Sequence, residues 1–536
     1  MLTSRYDIYV AIRLMGQRLC AASLCAIALL LVSLPAEAEW NDFLVEIFGP
    51  GPGQEASQKP SPVSEGPFSS RLIVDTAVTV GTPNRAVLGT NIQWVQNGDG
   101  LLELNGDFNE RKLKLIDLLA PTLIRYPGGS HTDLFDWRNS VGPVANRKQN
   151  RAFFDNQLKT VRFGTPELLR LCREVGARPV ISLNVITQSV GELEPWVDYL
   201  ANHSPPEVAF WEIGNEPYLD PDEQPTLKVK PEQFAELANR AIRMIRGKVD
   251  GASIGVPMRS DKIGGVHATP FQGYNAKMLS ALTEQVDFVA VHNAYLPFAY
   301  KKVPGDEAFY YASAAAYRVV EEDFKQTRED LQQYYRKTQP KIAVTEYNNV
   351  FTFGKGATDE YLASYANAAY IFDLLVTFSQ EPDLLFANHW SLLDNWFFGV
   401  IDRDGDTRWA YPVLQAFGKT LFGEIVKVTV EGPEFDSPAV GMVPSRQGTP
   451  LVRAFATVAD GGLQLFVINK HLNSSSALEA TINSNTTAEL KSIRRLQAST
   501  PFDLSTDVQW QTLDPRSYDD AIDLPALSIT WLSYRV

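Results

Sequence analysis

Between Gln93 and Trp390 the sequence alternates short apolar runs with helical runs, and this alternation limits the fold more than any other feature. Runs rich in Val, Ile and Phe end near Gln93, Tyr126, Asn184, Asn215, Arg259, His292, Glu346 and Trp390. Between them lie helical stretches at 110–119, 166–175, 231–249, 307–336 and 360–379. Thr165-Pro166-Glu167 shows the chemistry of a helix start: a cap candidate, Pro at the first helical position and an acid in the first turn. Eight strands alternating with helices over roughly 340 residues predict a (β/α)8 barrel at 87–423, with loops longer than the minimum. A doubly wound open sheet is the alternative. It would show a Gly-rich phosphate loop after the first strand, and the sequence has none.

At 536 residues the chain is too long for one ordinary core. From about Gly423 the pattern becomes short strands (426–430, 451–456, 463–469, 477–482, 527–536) separated by Gly, Asn, Ser and Asp. This predicts a β-sandwich at 424–536, with a strand in the segment 71–86 completing it, because no helix follows that strand. The fold class is therefore α/β, a (β/α)8 TIM barrel with a C-terminal β-sandwich and an added N-terminal strand. Arg5, Arg13 and Arg18, the apolar run 19–34 and Ala36-Glu37-Ala38 read as a signal peptide over 1–38, hence a secreted, periplasmic or cell-envelope protein. An uncleaved anchor is the alternative, although the run is shorter than the ~20 residues a membrane helix needs. Residues 39–70, with Gly49-Pro50-Gly51-Pro52-Gly53 and Lys59-Pro60-Ser61-Pro62, have linker composition.

The formal charge of −14 argues against a phosphate-backbone partner, which needs clustered Lys and Arg. Cys20 and Cys25 lie in the leader, so Cys172 alone remains, with no partner for a disulfide or a thiolate metal cluster; it reads as a small buried hydrophobe.

Two apolar runs end on glutamates. Trp211-Glu212-Ile213-Gly214-Asn215-Glu216-Pro217 closes the fourth strand, and Val344-Thr345-Glu346-Tyr347-Asn348 the seventh. In such a barrel the strand ends face one mouth, and a carboxylate there has few structural reasons to exist. Two of them are what a retaining glycosidase requires, one as acid/base and one as nucleophile. One must be protonated at rest and the other ionised. Arg125, ending the second strand, is the candidate cation for the ionised one, and Asn215 is placed to hydrogen-bond a sugar hydroxyl.

Arg125-Tyr126-Pro127-Gly128-Gly129, Phe135-Asp136-Trp137-Arg138, Val141-Gly142-Pro143, the run from Phe163 to Leu169 and the run from Trp211 to Glu216 resemble glycoside hydrolase family 51, the α-L-arabinofuranosidases. The resemblance runs through the barrel into the sandwich and implies a clan-A retaining glycosidase. It implies Glu216 as acid/base, Glu346 as nucleophile and Arg125 as the residue keeping the nucleophile ionised. The run 289–295, with His292 and Tyr295, resembles the sixth-strand segment whose tyrosine hydrogen-bonds the nucleophile. Ser130 stands where that family has a sugar-binding asparagine, and Gln93 where it has a glutamate that holds arabinose hydroxyls. Pro217 is more like neighbouring clan-A families. Trp390 offers a plane for stacking on a sugar ring.

The six histidines (131, 203, 267, 292, 389 and 471) form no His-Glu-x-x-His arrangement, so sugar-contacting or structural roles are expected for His131, His292 and His389. Trp94, Trp137, Trp390 and Trp396 are open between lining a cleft and packing the barrel. Asp394 and Asp402-Arg403-Asp404-Gly405-Asp406 read as a solvated loop, the ligand spacing being too short for a full calcium loop. The reading is an exported retaining glycosidase that uses no cofactor and acts on a polysaccharide or oligosaccharide. It has no nucleic-acid partner and approaches a membrane only through its N-terminal segment. Endo-acting hydrolysis of an exopolysaccharide, or a non-catalytic carbohydrate-binding protein on the same fold, are the alternatives.

Overall fold

A computed structural model describes residues 66–219, 227–260, 271–298, 306–349, 359–394, 397–517 and 521–536. The leader expected at 1–38 and residues 39–65 of the expected linker lie outside the described residues. Strand β1 spans Phe68–Gly81, so residues 68–70, given to the linker by composition, belong to a strand. Ser70 is buried there and its hydroxyl meets that of Ser476 at 2.9 Å.

Eight further strands close a parallel barrel and lie around it in the order of the chain. They are β2 (Gly89–Asn91), β3 (Leu123–Tyr126), β4 (Arg178–Leu183), β5 (Phe210–Ile213), β6 (Ile254–Pro257), β7 (Phe288–Val291), β8 (Lys341–Tyr347) and β9 (Leu384–His389). Helices α1 (Glu110–Leu119), α2 (Thr165–Val175), α3 (Val190–Asn202), α4 (Pro231–Arg246), α5 (Tyr274–Ala281), α6 (Asp306–Ala315), α7 (Tyr317–Tyr334), α8 (Tyr365–Gln380) and α9 (Ala410–Thr420) follow the strands, two of them after β7. The single helix expected at 307–336 is thus split at Ala316. At the start of α2 the cap is Gly164 rather than Thr165. Its N–H donates to Glu167 Oε2 at 2.8 Å, and a Cβ there would lie 2.1 Å from the Ser140 carbonyl oxygen.

Period-two alternation decides what fills the barrel. Near the amino ends of the strands the interior is apolar: Phe210 stacks on Phe386 at 4.3 Å, and Phe288 stands edge-on to both. Leu123, Val180, Ala290 and Ala343 complete this layer. Two residues further along β3, β4, β5 and β8 the inward positions are Arg125, Ser182, Glu212 and Thr345. The barrel therefore changes from an aromatic plug to a hydrogen-bonded polar layer just beneath the mouth.

The C-terminal strands are β10 (Glu424–Glu431), β11 (Val452–Ala459), β12 (Gly462–Asn469), β13 (Ser476–Asn483), β14 (Glu489–Gln497), β15 (Gln511–Leu513), β16 (Ile522–Leu524) and β17 (Ser528–Arg535). They hydrogen-bond in the order β15-β14-β17-β12-β11-β10-β1-β13-β16 and form the β-sandwich. β1 fills the gap between β10, to which it is antiparallel, and β13, to which it is parallel. Leu72 and Val74 thereby join Leu463, Leu465, Leu478 and Leu532 in one core. The alternate residues on these strands face the barrel, where Phe455 and Phe466 stack on Phe417 of α9. Among the described residues no helix is long and apolar enough to cross a membrane.

Candidate active site

Arg125 organises the mouth. It projects inward from β3 with no solvent exposure and spreads its guanidinium over four acceptors. Nε donates to Glu212 Oε2 at 2.5 Å, and Nη1 to Glu346 Oε1 at 2.8 Å and Asn91 Oδ1 at 3.2 Å. Nη2 donates to Asn215 Oδ1 at 2.8 Å. A fixed planar fork can satisfy such a set; a lysine could not. Burial works against its charge, but Glu212 and Glu346 outweigh that and raise its pKa.

Glu346 is buried and receives two donors, Arg125 on Oε1 and the Tyr295 hydroxyl on Oε2 at 2.8 Å. Burial, with the Glu346 charge beside it, pushes the Tyr295 phenol well up, so it stays a donor. Glu216 stands in a different environment. Oε1 meets His292 Nδ1 at 2.8 Å and the Tyr218 hydroxyl at 3.3 Å, and Oε2 accepts from Asn215 Nδ2 at 3.4 Å. His292 Nδ1 is also 3.8 Å from Glu346 Oε2. Sharing that nitrogen holds the two carboxylate oxygens at most about 6.6 Å apart, close enough for both to reach one glycosidic bond. Burial opposes a proton on His292, but Glu346 and Glu216 prevail and its pKa is raised.

The remaining wall forms around the paired glycines after Tyr126-Pro127. A Cβ on Gly128 would fall 2.8 Å from Gln93 Cα, and one on Gly129 2.7 Å from Cη2 of Trp390. Both glycines have positive φ, 108° and 48°, which suits them to this close approach. Gln93 and Trp390 thus flank the loop that carries Ser130, itself half-buried. The Gln93 side-chain amide donates to Asp99 Oδ1 at 3.3 Å, and its backbone N–H to Asp99 Oδ2 at 2.8 Å. Burial, then the nearby Asp394, raise the Asp99 pKa.

Other sequence candidates take structural places. Trp94 is buried against His131 and Phe135. Trp137 donates to the Glu192 carbonyl at 2.7 Å and stacks on Trp196. Trp396 lies outside the described residues. His389 is enclosed, its Nδ1 3.2 Å from the Ser391 carbonyl, and burial lowers its pKa to about 3. Asp402 Oδ1 accepts the N–H groups of Asp404 and Asp406, and Asp406 pairs with Arg111. Among the described residues no group of His, Cys, Asp and Glu is arranged to hold a metal. Glu212, Thr345, Asn91, Ser182, Tyr218 and Asp133 belong to the site or its support and were not singled out from sequence. Inward parity with Phe210 along β5 is the signal that points to Glu212.

By fold and site the chain resembles retaining glycoside hydrolases built on a (β/α)8 barrel. A family model described as the alpha-L-arabinofuranosidase 1 domain matches residues 115–200. The chain is 23% identical over 466 residues to an intracellular exo-alpha-(1->5)-L-arabinofuranosidase of Streptomyces lividans, covering 77% of this chain and 66% of that protein. It is 22% identical over 406 residues to intracellular exo-alpha-(1->5)-L-arabinofuranosidase 1 of Bacillus subtilis, covering 68% and 79%. The solved α-L-arabinofuranosidase of Thermotoga maritima in complex with arabinose superposes with a TM-score of 0.71 at 19% identity, over 87% of this chain and all of that one. These comparisons make the chain similar to the α-L-arabinofuranosidases of glycoside hydrolase family 51.

The relatives correct one expectation. Those of Streptomyces lividans, Halalkalibacterium halodurans, Bacillus subtilis and Acetivibrio thermocellus are all named intracellular. This points against the secreted, periplasmic or cell-envelope placement read from the N-terminus. That reading rested on a basic, then apolar, then small-residue pattern in residues outside the described part, and such a pattern reports composition rather than destination.

Proposed function

We propose that the protein hydrolyses terminal α-L-arabinofuranosyl or closely related glycosidic bonds of oligosaccharides by double displacement. Glu346 attacks the anomeric carbon and forms a glycosyl ester. The bond to the leaving oxygen breaks as Glu216 gives that oxygen its proton. Glu216 then takes a proton from water, whose oxygen bonds to the anomeric carbon as the ester to Glu346 breaks. The observation that carries the reading is the unequal provision for two carboxylates so close together. Glu346 has two donors, the Arg125 guanidinium and the Tyr295 hydroxyl, which hold it in place for attack. Glu216 has an imidazole, a phenol and an amide.

Hydrolysis of a panel of aryl glycosides, with the arabinofuranoside among them, tests this. Glu346→Ala should abolish turnover of every substrate. Glu216→Ala should lose about 10²–10⁴-fold on poor leaving groups and far less on activated ones. Equal loss on both kinds would overturn the assignment. A second reading is favoured by Gln93 being tied to Asp99 and by Trp390 lying against Gly129. Here the pocket presents a neutral amide and an indole plane, which suits a sugar other than arabinofuranose. A panel in which only another aryl glycoside is cut would select it.

A further inference from the structure

Glu212 has no part in the scheme above, yet it is wholly buried beneath the reacting groups. Its Oε2 accepts from Arg125 Nε and Ser182 Oγ, each at 2.5 Å, and its Oε1 from Thr345 Oγ1 at 2.8 Å. A hydroxyl has a single hydrogen. That of Thr345 goes to Glu212, because a carboxylate paired with a guanidinium only accepts. His292 Nε2 lies 2.9 Å from the same Thr345 oxygen, so this contact requires the hydrogen to be on Nε2. The other ring nitrogen, Nδ1, is 2.8 Å from Glu216 Oε1. A bare lone pair facing a carboxylate oxygen at that distance would repel it, so a proton must lie between them.

We infer that Glu212, acting through Thr345, is a positioning residue that fixes a hydrogen on His292 Nε2 and so obliges Nδ1 to share a proton with Glu216. The imidazole–carboxyl pair, rather than Glu216 alone, then sets the basic limit of the acid step. This rests on the proposed role of Glu216. In the competent state the ring is an imidazolium that donates Nδ1–H to Oε1, while Glu216 carries its transferable proton on Oε2. That proton ends on the leaving alcohol, and the carboxylate left behind stays bonded to Nδ1–H. Water returns a proton to Oε2 in the second half, and no further reactant is needed. Glu346 and, one hydroxyl away, Glu212 favour the imidazolium. Arg125 opposes it, Tyr295 and Tyr218 face the same space as donors, and Asp133 acts on Glu216 from the loop after β3.

The test is the pH profile of kcat/KM on an aryl glycoside with a poor leaving group. Thr345→Val removes the acceptor for Nε2–H and should move the basic limb down by about one pH unit. The acid limb should stay in place, and turnover of an activated substrate should change far less. Thr345→Ser keeps the hydroxyl and should restore the wild-type limb. Glu212→Gln, which removes the charge and keeps the shape, should shift the basic limb the same way and serves if Thr345→Val does not fold. Rescue of Glu216→Ala by activated substrates together with an unmoved basic limb in these variants overturns the relay alone. Absence of that rescue removes Glu216 as the acid and the inference with it.

Discussion

Gly129 supports the indole of Trp390: a methyl group in place of the glycine hydrogen would lie 2.7 Å from Cη2 of the ring. The glycine also sits at φ 48°, a conformation that costs an L-residue roughly 1–2 kcal/mol. Gly129→Ala should therefore displace the ring and strain the loop together. The expected outcome is a loss of about 1–3 kcal/mol in stability and a KM raised about three- to tenfold, because stacking on the ring is worth about 0.5–1.5 kcal/mol. Trp390→Ala should reproduce the KM change without the backbone strain. Urea midpoints and KM for the two variants separate these effects.

Arg125 donates directly to both Glu212 and Glu346. Arg125→Met would leave two carboxylates facing each other in a buried layer, a loss of about 3–5 kcal/mol. Arg125→Lys should fold better and still lose most activity, since one ammonium cannot hold both carboxylates, Asn91 and Asn215 at once. Adding Glu212→Gln to Arg125→Met should recover a large part of the stability, because it removes one of the uncompensated charges. Additive losses in this pair, measured by denaturation, would show that Arg125 and Glu212 are not coupled.

The barrel was legible because its strands are buried on both faces and so read as continuous apolar runs; their expected ends fall within two residues of the observed ones. α3 was harder to read, since Pro195 interrupts its pattern. In the site, Glu216 and Glu346 stood out because each ends such a run beside an asparagine or an aromatic. Glu212 did not, being inside the run, where only the inward parity set by Phe210 marks it as facing the barrel axis. Asp133 and Asp99 come from the long loops after β3 and β2. Their return onto Asn215 and Gln93 depends on loop conformation, which has no period to read. The exported placement was read from the composition of the N-terminus alone, and relatives named intracellular point against it.

His131 should make the fold acid-sensitive. Its Nδ1 accepts the Phe153 N–H at 3.0 Å, so that contact needs an unprotonated nitrogen. Burial, aided by Lys159, lowers its pKa to about 4. The unfolded imidazole titrates near 6.5, above the folded value. The stabilisation is therefore complete above about pH 6.5 and is lost as pH falls towards 4, amounting to about 2–3 kcal/mol by pH 4.5. His389, lowered to about 3, has the same sign. His131→Asn should lose less stability than wild type between pH 7 and pH 4.5 in chemical denaturation.

Asp133 works in the opposite direction. It is buried in the turn after Gly129, its carboxylate accepts the Asn215 backbone N–H, and Oδ1 has no hydrogen-bond partner among the described residues. Burial first, then the charge of Glu216, raise its pKa to about 7. The folded value lies above the unfolded one, near 3.9. Its contribution is fully present at low pH and is lost as pH rises from about 4 through about 7. At pH 8 the ionised group then destabilises the fold by something on the order of 2–4 kcal/mol. Asp133→Asn keeps the shape and cannot ionise. Its stability should match wild type near pH 4 and exceed it increasingly from pH 6 to pH 8. A variant no more stable than wild type at pH 8 would mean that Asp133 ionises there without cost, and that its free oxygen finds water or substrate.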